Sequence, residues 1–229
     1  MKILKAVLLA GMLVLTGANN RPDWNATIVE TDGGHRIGNP DAEHKLTEYV
    51  SYTCSHCADF ARQGDPALKL AYIHDGRFSV EIRHLLRDPI DLTAAMMTNC
   101  GDPKKFPLNH NAIMYSQGDW LPIAQRATQA QINRWTNPDH AAARRAIASD
   151  FGFYKLMEAR GYRITDLDRC LNDDTKAQAL ATASSDHAML FGIRGTPSFV
   201  LDGKLLDGAH SWQALQPRLD AALKGNAAQ

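Results

Sequence analysis

The stretch YTCSHCADF, residues 52–60, contains two of the chain's four cysteines, separated by two residues. Before it, KLTEYVSY (residues 45–52) is short and rich in β-branched and aromatic residues, which predicts a strand. After it, an apolar spacing that starts at Ala58 continues toward Ile73 and predicts a helix. The sequence therefore places Cys54 at the point where a strand turns into a helix.

The rest of the chain alternates between short strand patterns and one long helical region. Gly64 and Pro66 predict a kink or break in the helix that follows the cysteines. Further strands are predicted at residues 24–30, 78–85, 198–201 and 204–206, turns at 33–34 and 38–40, helices throughout 91–191, and a last helix at 212–223.

This order predicts an α/β core interrupted by a helical insertion, because neither strand-bearing end could close a sheet alone. The predicted parts are a first core segment at residues 19–90, inserted helices at 91–190 and a second core segment at 191–229.

The first eighteen residues resemble a secretory signal. Lys2 and Lys5 precede an apolar run from Ala6 to Leu15, and small residues up to Ala18 suit a cleavage site. An uncleaved membrane anchor is the alternative, although the run is short for a span.

With 25 basic and 25 acidic residues in 229, the chain has no basic field that would indicate a nucleic-acid partner.

The spacing of Cys54 and Cys57 puts both sulfurs in the first turn of the predicted helix. Free N–H groups and the positive end of the helix dipole favour a thiolate at Cys54, and His56 can add a donor or a charge. Cys57, one turn later, can attack a mixed disulfide at Cys54. The alternatives are an inert disulfide and a zinc site, but Cys100 and Cys170 form no second C-x-x-C pair.

A second motif lies far downstream, in GTPSFV at residues 195–200. Proline within a central strand would lose a ladder hydrogen bond, so Pro197 should be the first residue of the strand or precede it. Taken alone, this segment predicts an ordinary turn with a trans peptide bond.

Taken together, these features resemble the DsbA-like thiol–disulfide oxidoreductases of the thioredoxin superfamily. The resemblance rests on Cys54-Ser55-His56-Cys57 after a strand, a long helical insertion, and Thr196-Pro197 before a terminal hairpin and helix. It implies a thioredoxin fold interrupted by an inserted α-helical domain. It also implies that Pro197 is cis and holds an extended substrate segment beside Cys54, with Thr196 contacting the partner.

The resemblance assigns a proton-transfer role to the acid six residues before the first cysteine, which here is Glu48. The alternative is a solvated glutamate on an edge strand. The best-known strong oxidases have proline and histidine between the cysteines, whereas this chain has Ser55 and His56. That departure leaves a disulfide reductase or isomerase open beside an oxidase.

The resemblance further implies that Cys100 and Cys170, both in the helical region, form a structural disulfide with no part in exchange. Two unpaired buried cysteines are the alternative. Pairing agrees with export, since disulfides persist in oxidising compartments.

The expected function is the introduction of disulfides into exported proteins by dithiol–disulfide exchange in the periplasm. A reductase or isomerase of the same fold is the first alternative, and a non-enzymatic thiol or metal-binding module is the second. The expected partners are cysteine-containing exported proteins and a membrane redox partner that resets the disulfide, with no nucleic acid. We expect no cofactor, no metal and a monomer, because the short segment before His35 leaves little room for a dimerisation arm.

Overall fold

A computed structural model describes residues 22–225, and the predicted signal segment at residues 1–18 lies outside them. The centre of the fold is a mixed six-stranded sheet with the order β1-β2-β4-β3-β5-β6. Strands β3 and β4 are parallel, and every other neighbouring pair is antiparallel. The strands are β1 Ile28–Thr31, β2 Gly34–Gly38, β3 His44–Val50, β4 Phe78–His84, β5 Ser198–Leu201 and β6 Lys204–Leu205.

Helix α1 (Ser55–Leu68) connects the parallel strands β3 and β4 and packs on one face of the sheet. Leu46 and Val50 of β3 belong to the same buried cluster as Phe60 and Ala61 of α1. Because successive strand residues point to opposite faces, the even-numbered residues of β3 form the layer beneath α1. The strand–helix junction predicted at Cys54 is confirmed.

The sequence predicted a kink or a break at Gly64 and Pro66; the break is wrong, and the kink stays a prediction. Helix α1 continues to Leu68 and is followed by one wide π-helical turn at Lys69–Ile73. Pro66 lies on the exposed side of α1. Water can therefore hydrate the backbone carbonyl that loses its donor there.

Strand β2, which the sequence did not predict, joins the turns predicted at residues 33–34 and 38–40 and pairs with both β1 and β4. A Cβ atom on Gly34 would lie 2.4 Å from the carbonyl oxygen of Ile82, so this strand requires a glycine where two backbones meet closely. The strand predicted at residues 24–30 begins only at Ile28, because Trp24–Ala26 forms a 3-10 turn capped by Asp23.

Between β4 and β5 the chain is helical, as predicted. The helices are α2 Pro89–Thr98, α3 Phe106–Tyr115, α4 Gln117–Trp120, α5 Pro122–Gln125, α6 Gln129–Trp135, α7 His140–Asp150, α8 Phe153–Glu158, α9 Ile164–Leu171 and α10 Asp174–Phe191, and α11 Trp212–Gly225 follows the last hairpin.

The apolar core is continuous from the sheet into the helical insertion. Trp120 and Phe153 pack edge to face with ring centroids 5.1 Å apart, in the same buried cluster as Val50 and Phe60. These contacts confirm an α/β fold interrupted by helices, and the exact boundaries between the parts stay predictions. No helix within residues 22–225 combines the length and apolar character needed to cross a membrane.

Candidate active site

The end of β3 and the start of α1 bring the two cysteines together. Cys54 has an extended backbone and is the N-cap residue of α1, while Cys57 lies within its first turn. The Cys54 side chain is 7% exposed and Cys57 is fully buried. Both are free thiols, and the Ser51 N–H points at the Cys57 sulfur over 3.5 Å. Both cysteines are thus buried, and only Cys54 keeps a small exposure to solvent.

The two sulfurs differ in acidity. A hydrogen bond from the Cys57 thiol, with further hydrogen bonds from the N–H groups of Cys57 and His56, lowers the pKa of Cys54 to about 5 against the opposing effect of burial. Burial raises the pKa of Cys57 well above its ordinary value. At neutral pH Cys54 is therefore the thiolate and Cys57 the thiol.

The loop before β5 covers the cysteine pair from the other side. The Thr196–Pro197 peptide bond is cis, in contrast to the trans bond that the segment alone predicts and in agreement with what the family resemblance implies. When protonated, the Cys54 thiol donates to the Thr196 carbonyl oxygen over 3.2 Å. His210 Nδ1 donates to the Pro197 carbonyl oxygen over 2.8 Å and ties this loop to the start of α11.

The side chain of His56 is exposed, and it lines a cavity of about 200 Å³ between α1 and α11. His210 and Trp212 lie on the opposite wall of this cavity. The contribution of His56 to the Cys54 thiolate comes through its backbone N–H, which any residue except proline would supply.

Two supports of the cysteine loop were missed by the sequence analysis. The side-chain amide of Gln117 donates to the Tyr52 and Cys54 carbonyl oxygens, over 2.7 and 2.9 Å. Asp91 accepts from the Ser51 hydroxyl over 2.5 Å and from the Tyr52 N–H over 2.8 Å. No local pattern marks Gln117, since its role depends on the folding of α4 against the loop between β3 and α1.

Glu48 lies in the interior and not on an edge strand. It belongs to β3, between Ile82 of β4 and Phe199 of β5, and is 1% exposed. Burial, followed by the charge of Asp65, raises the pKa of Glu48 well above its ordinary value. Asp65 of α1 was not predicted as a site residue.

Cys100, just after α2, is bonded to Cys170 of α9, with Cα atoms 5.7 Å apart. This disulfide joins two helices of the insertion. Among residues 22–225, no group of three or more histidine, cysteine, aspartate or glutamate side chains has an arrangement that could hold a metal ion.

Comparison with known proteins agrees with this architecture. A family model described as thioredoxin matches residues 30–221. A protein-disulfide isomerase from Novosphingobium aromaticivorans superposes with a TM-score of 0.81 at 44% identity, covering 84% of this chain and 98% of that one. Wolbachia pipientis alpha-DsbA1 superposes with a TM-score of 0.64 at 21% identity, over 84% and 92% of the two chains. The predicted thioredoxin fold with a helical insertion is confirmed.

Curated relatives include a candidate protein-disulfide oxidoreductase of Rickettsia conorii, 28% identical over 199 residues. The alignment covers 86% of this chain but 63% of the relative. The chain thus spans less than two thirds of the length of that relative.

Proposed function

Because this chain belongs to the thioredoxin family, we propose that it is a thiol–disulfide oxidoreductase that works through Cys54 and Cys57. The observation that carries the proposal is the asymmetry of the pair, with a stabilised thiolate at the slightly exposed Cys54 and a thiol of raised pKa at the fully buried Cys57. A structural disulfide needs no such difference between its two sulfurs. An exchange site does, because one sulfur must meet the partner and the other must resolve the complex.

The oxidative reaction proceeds in two exchange steps. A client thiolate attacks the Cys54 sulfur of the Cys54–Cys57 disulfide, the bond between the cysteines breaks, and Cys57 leaves and takes up a proton. A second client thiolate then attacks the client sulfur of the mixed disulfide and releases Cys54 as a thiolate. The client loses two electrons and the cysteine pair gains them.

In this proposal the client binds along the loop that contains the cis-proline. Thr196 lies beside Cys54, and the Pro197 carbonyl is held by His210. An extended client segment along residues 195–197 would present its cysteine to the Cys54 sulfur.

Oxidation is the favoured direction because the thiolate exists only in the reduced form. Stabilising the reduced form makes the disulfide easier to reduce, and hence a stronger oxidant. Isomerisation is the second candidate. It is favoured by the name of the Novosphingobium aromaticivorans protein, which is 44% identical.

The proposed setting is the periplasm, with cysteine-containing exported proteins as clients and a membrane redox partner that restores the disulfide. The Cys100–Cys170 disulfide supports an oxidising compartment. We further propose that this disulfide is structural and that the protein acts as a monomer.

Two assays separate the candidates. The oxidised protein is mixed with a peptide that carries two thiols, and separately the partly reduced protein is mixed with ribonuclease whose disulfides are scrambled. An oxidase oxidises the peptide rapidly and restores little ribonuclease activity, whereas an isomerase restores the activity. The Cys54→Ser variant is the control, and equal rates for it and the wild type would contradict the proposal.

A further inference from the structure

A histidine of α10 contacts the face of the sheet that lies opposite α1. Tyr49 is an odd-numbered residue of β3 and so points away from α1, and its hydroxyl lies 3.2 Å from His187 Nδ1. Arg83 of β4 donates to His187 Nε2 through its Nη1. Because a guanidinium can only donate, Nε2 must be the acceptor. The neutral ring therefore carries its proton on Nδ1 and donates it to the Tyr49 oxygen.

Arg83 is held in place by other partners. Its Nε pairs with Glu81 Oε1 over 2.6 Å, and its Nη1 also donates to the Asp32 carbonyl oxygen over 2.6 Å. The Arg83 side chain is 13% exposed. A protonated His187 would offer Arg83 no lone pair and would set a second positive charge against a fixed cation. The His187 ring and the helix that carries it must then give way.

His187 and Phe191 hold the last two turns of α10 on the sheet. Both rings pack against Tyr49, with ring centroids 6.2 Å apart in each case. Met189 and Leu190 point outward from the same turns and are 72% and 71% exposed. The end of α10 is thus held from its inner side, and loss of the His187 contacts would weaken its attachment to the sheet.

The loop that contains the cis-proline begins where this helix ends. Ile193 enters the loop and belongs to the same buried cluster as Tyr49. Ser198 leaves the loop, pairs with Tyr49 in the sheet, and donates its hydroxyl proton to the Gly195 carbonyl oxygen over 2.7 Å. Tyr49 therefore links His187 to the residues on both sides of the loop.

The groups around the ring determine the pH at which His187 takes up a proton. Burial, followed by the positive charge of Arg83, lowers the pKa of His187. The other titratable groups around the ring are the carboxylates that oppose this effect, which are Glu81 on β4, Asp32 between β1 and β2 and Asp186 on α10, and the neutral Tyr49 hydroxyl. Because the folded pKa is lower than the ordinary value of about 6.5, the stability that the neutral ring provides is fully present above that pH. It is lost as the pH falls through the folded pKa, and the partly exposed ring can take the proton directly from water.

We propose that His187 is a positioning residue for the cis-proline loop, and that protonation of its ring at mildly acid pH releases the end of α10 and weakens client binding along residues 195–197. The step breaks the hydrogen bond from Arg83 to His187, and its proton comes from solvent. This inference rests on the proposed function, because it concerns the regulation of the same client site.

The first test is an NMR titration of the His187 ring in the full-length protein. The ring nitrogen signals should identify the Nδ1–H tautomer at pH 7.5, and the titration midpoint should lie below that of the exposed His74. From pH 7.5 to pH 5 the protection of the Gly192 and Ile193 amides against hydrogen exchange should fall several-fold, since both donate to carbonyls in the last turn of α10. An Nε2–H tautomer, or a midpoint at or above that of His74, would overturn the inference.

The second test compares two thiols that open the Cys54–Cys57 disulfide of the oxidised protein. One is an extended peptide with a single cysteine, and the other is N-acetylcysteine amide, which carries the same thiol without flanking residues. The ratio of the two rates cancels the ionisation of the thiol. From pH 7.5 to pH 5.5 this ratio should fall several-fold in the wild type. It should stay level in His187→Gln, because glutamine can accept from Arg83 but takes up no proton.

His74→Gln is the matched control and should keep the wild-type profile. A pH dependence that persists in His187→Gln would assign it to His56 or His210, which line the cavity between α1 and α11, and would overturn the inference. A level wild-type profile would also overturn it. If His187→Gln fails to fold, the ring titration and the amide protection decide. A wild type that reacts with neither thiol would defeat the proposed function, while the titration and the amide protection would still test the attachment of α10.

Discussion

Acid should destabilise the reduced protein more than the oxidised protein, because only the reduced form holds a thiolate at Cys54. The pKa of Cys54 is about 5 in the folded chain and near 9 for an ordinary cysteine. The pKa of Cys54 is thus lower in the folded chain than in the unfolded chain. The stability that the Cys54 thiolate gives to the folded reduced protein is therefore fully present above pH 9. It is lost as the pH falls through 5.

The size of the effect follows from the distance between pH and the two pKa values. At pH 7 the folded thiol is two units above its pKa and the unfolded thiol is two units below its own. Two units at about 1.4 kcal/mol each give roughly 2.7 kcal/mol of stability in the reduced form. At pH 5 less than about 0.5 kcal/mol of it is left.

The assay is urea unfolding of both redox forms between pH 5 and pH 8. Buried groups such as Glu48 and His110 titrate in both forms, so they largely cancel when the free energies of unfolding are subtracted. The closed disulfide adds an offset that does not vary with pH. We expect the reduced form to gain roughly 2 kcal/mol relative to the oxidised form from pH 5 to pH 7. A difference that is flat across this range would refute the reasoning.

Three further predictions concern Cys57, the Cys100–Cys170 disulfide and Gln117. Cys57→Ser should accumulate mixed disulfides at Cys54, seen on non-reducing gels, and trapping by Cys54→Ser instead would reverse the assignment. Replacing Cys100 and Cys170 with alanine should remove up to about 4 kcal/mol of stability, since the disulfide closes a 70-residue loop. The reduction potential of the Cys54–Cys57 pair should stay unchanged, as a redox titration would show. Gln117→Leu should cost about 2–4 kcal/mol in urea unfolding, because two backbone carbonyls lose their donor; an unchanged midpoint would contradict this role.

The elements that local pattern determines were predictable from the sequence. Strand β3 and the start of α1 follow from residue type and period, and the helical insertion follows from its alanine-rich segments. The cis bond before Pro197 was different. Its local sequence favours trans, and only the family resemblance indicated the conformation that the structure contains.

The features that were missed depend on contacts between distant segments. Gly34 and Gly38 have the composition of a turn, yet β2 forms because two neighbouring strands supply its hydrogen bonds. Asp65 has the sequence signature of a surface residue of α1, but the packing of that helix against the sheet and α3 buries it. Tertiary context overrode local propensity at each of these positions.

The most direct test of the account is the reduction potential of the Cys54–Cys57 pair, measured against glutathione as a function of pH. Below pH 5, reduction should take up two protons and the potential should fall by about 60 mV per pH unit. Above pH 5, Cys54 stays a thiolate and only Cys57 takes up a proton, so the slope should halve to about 30 mV per unit. A two-proton slope that continues to pH 8 would contradict the asymmetry on which the proposed exchange reaction rests.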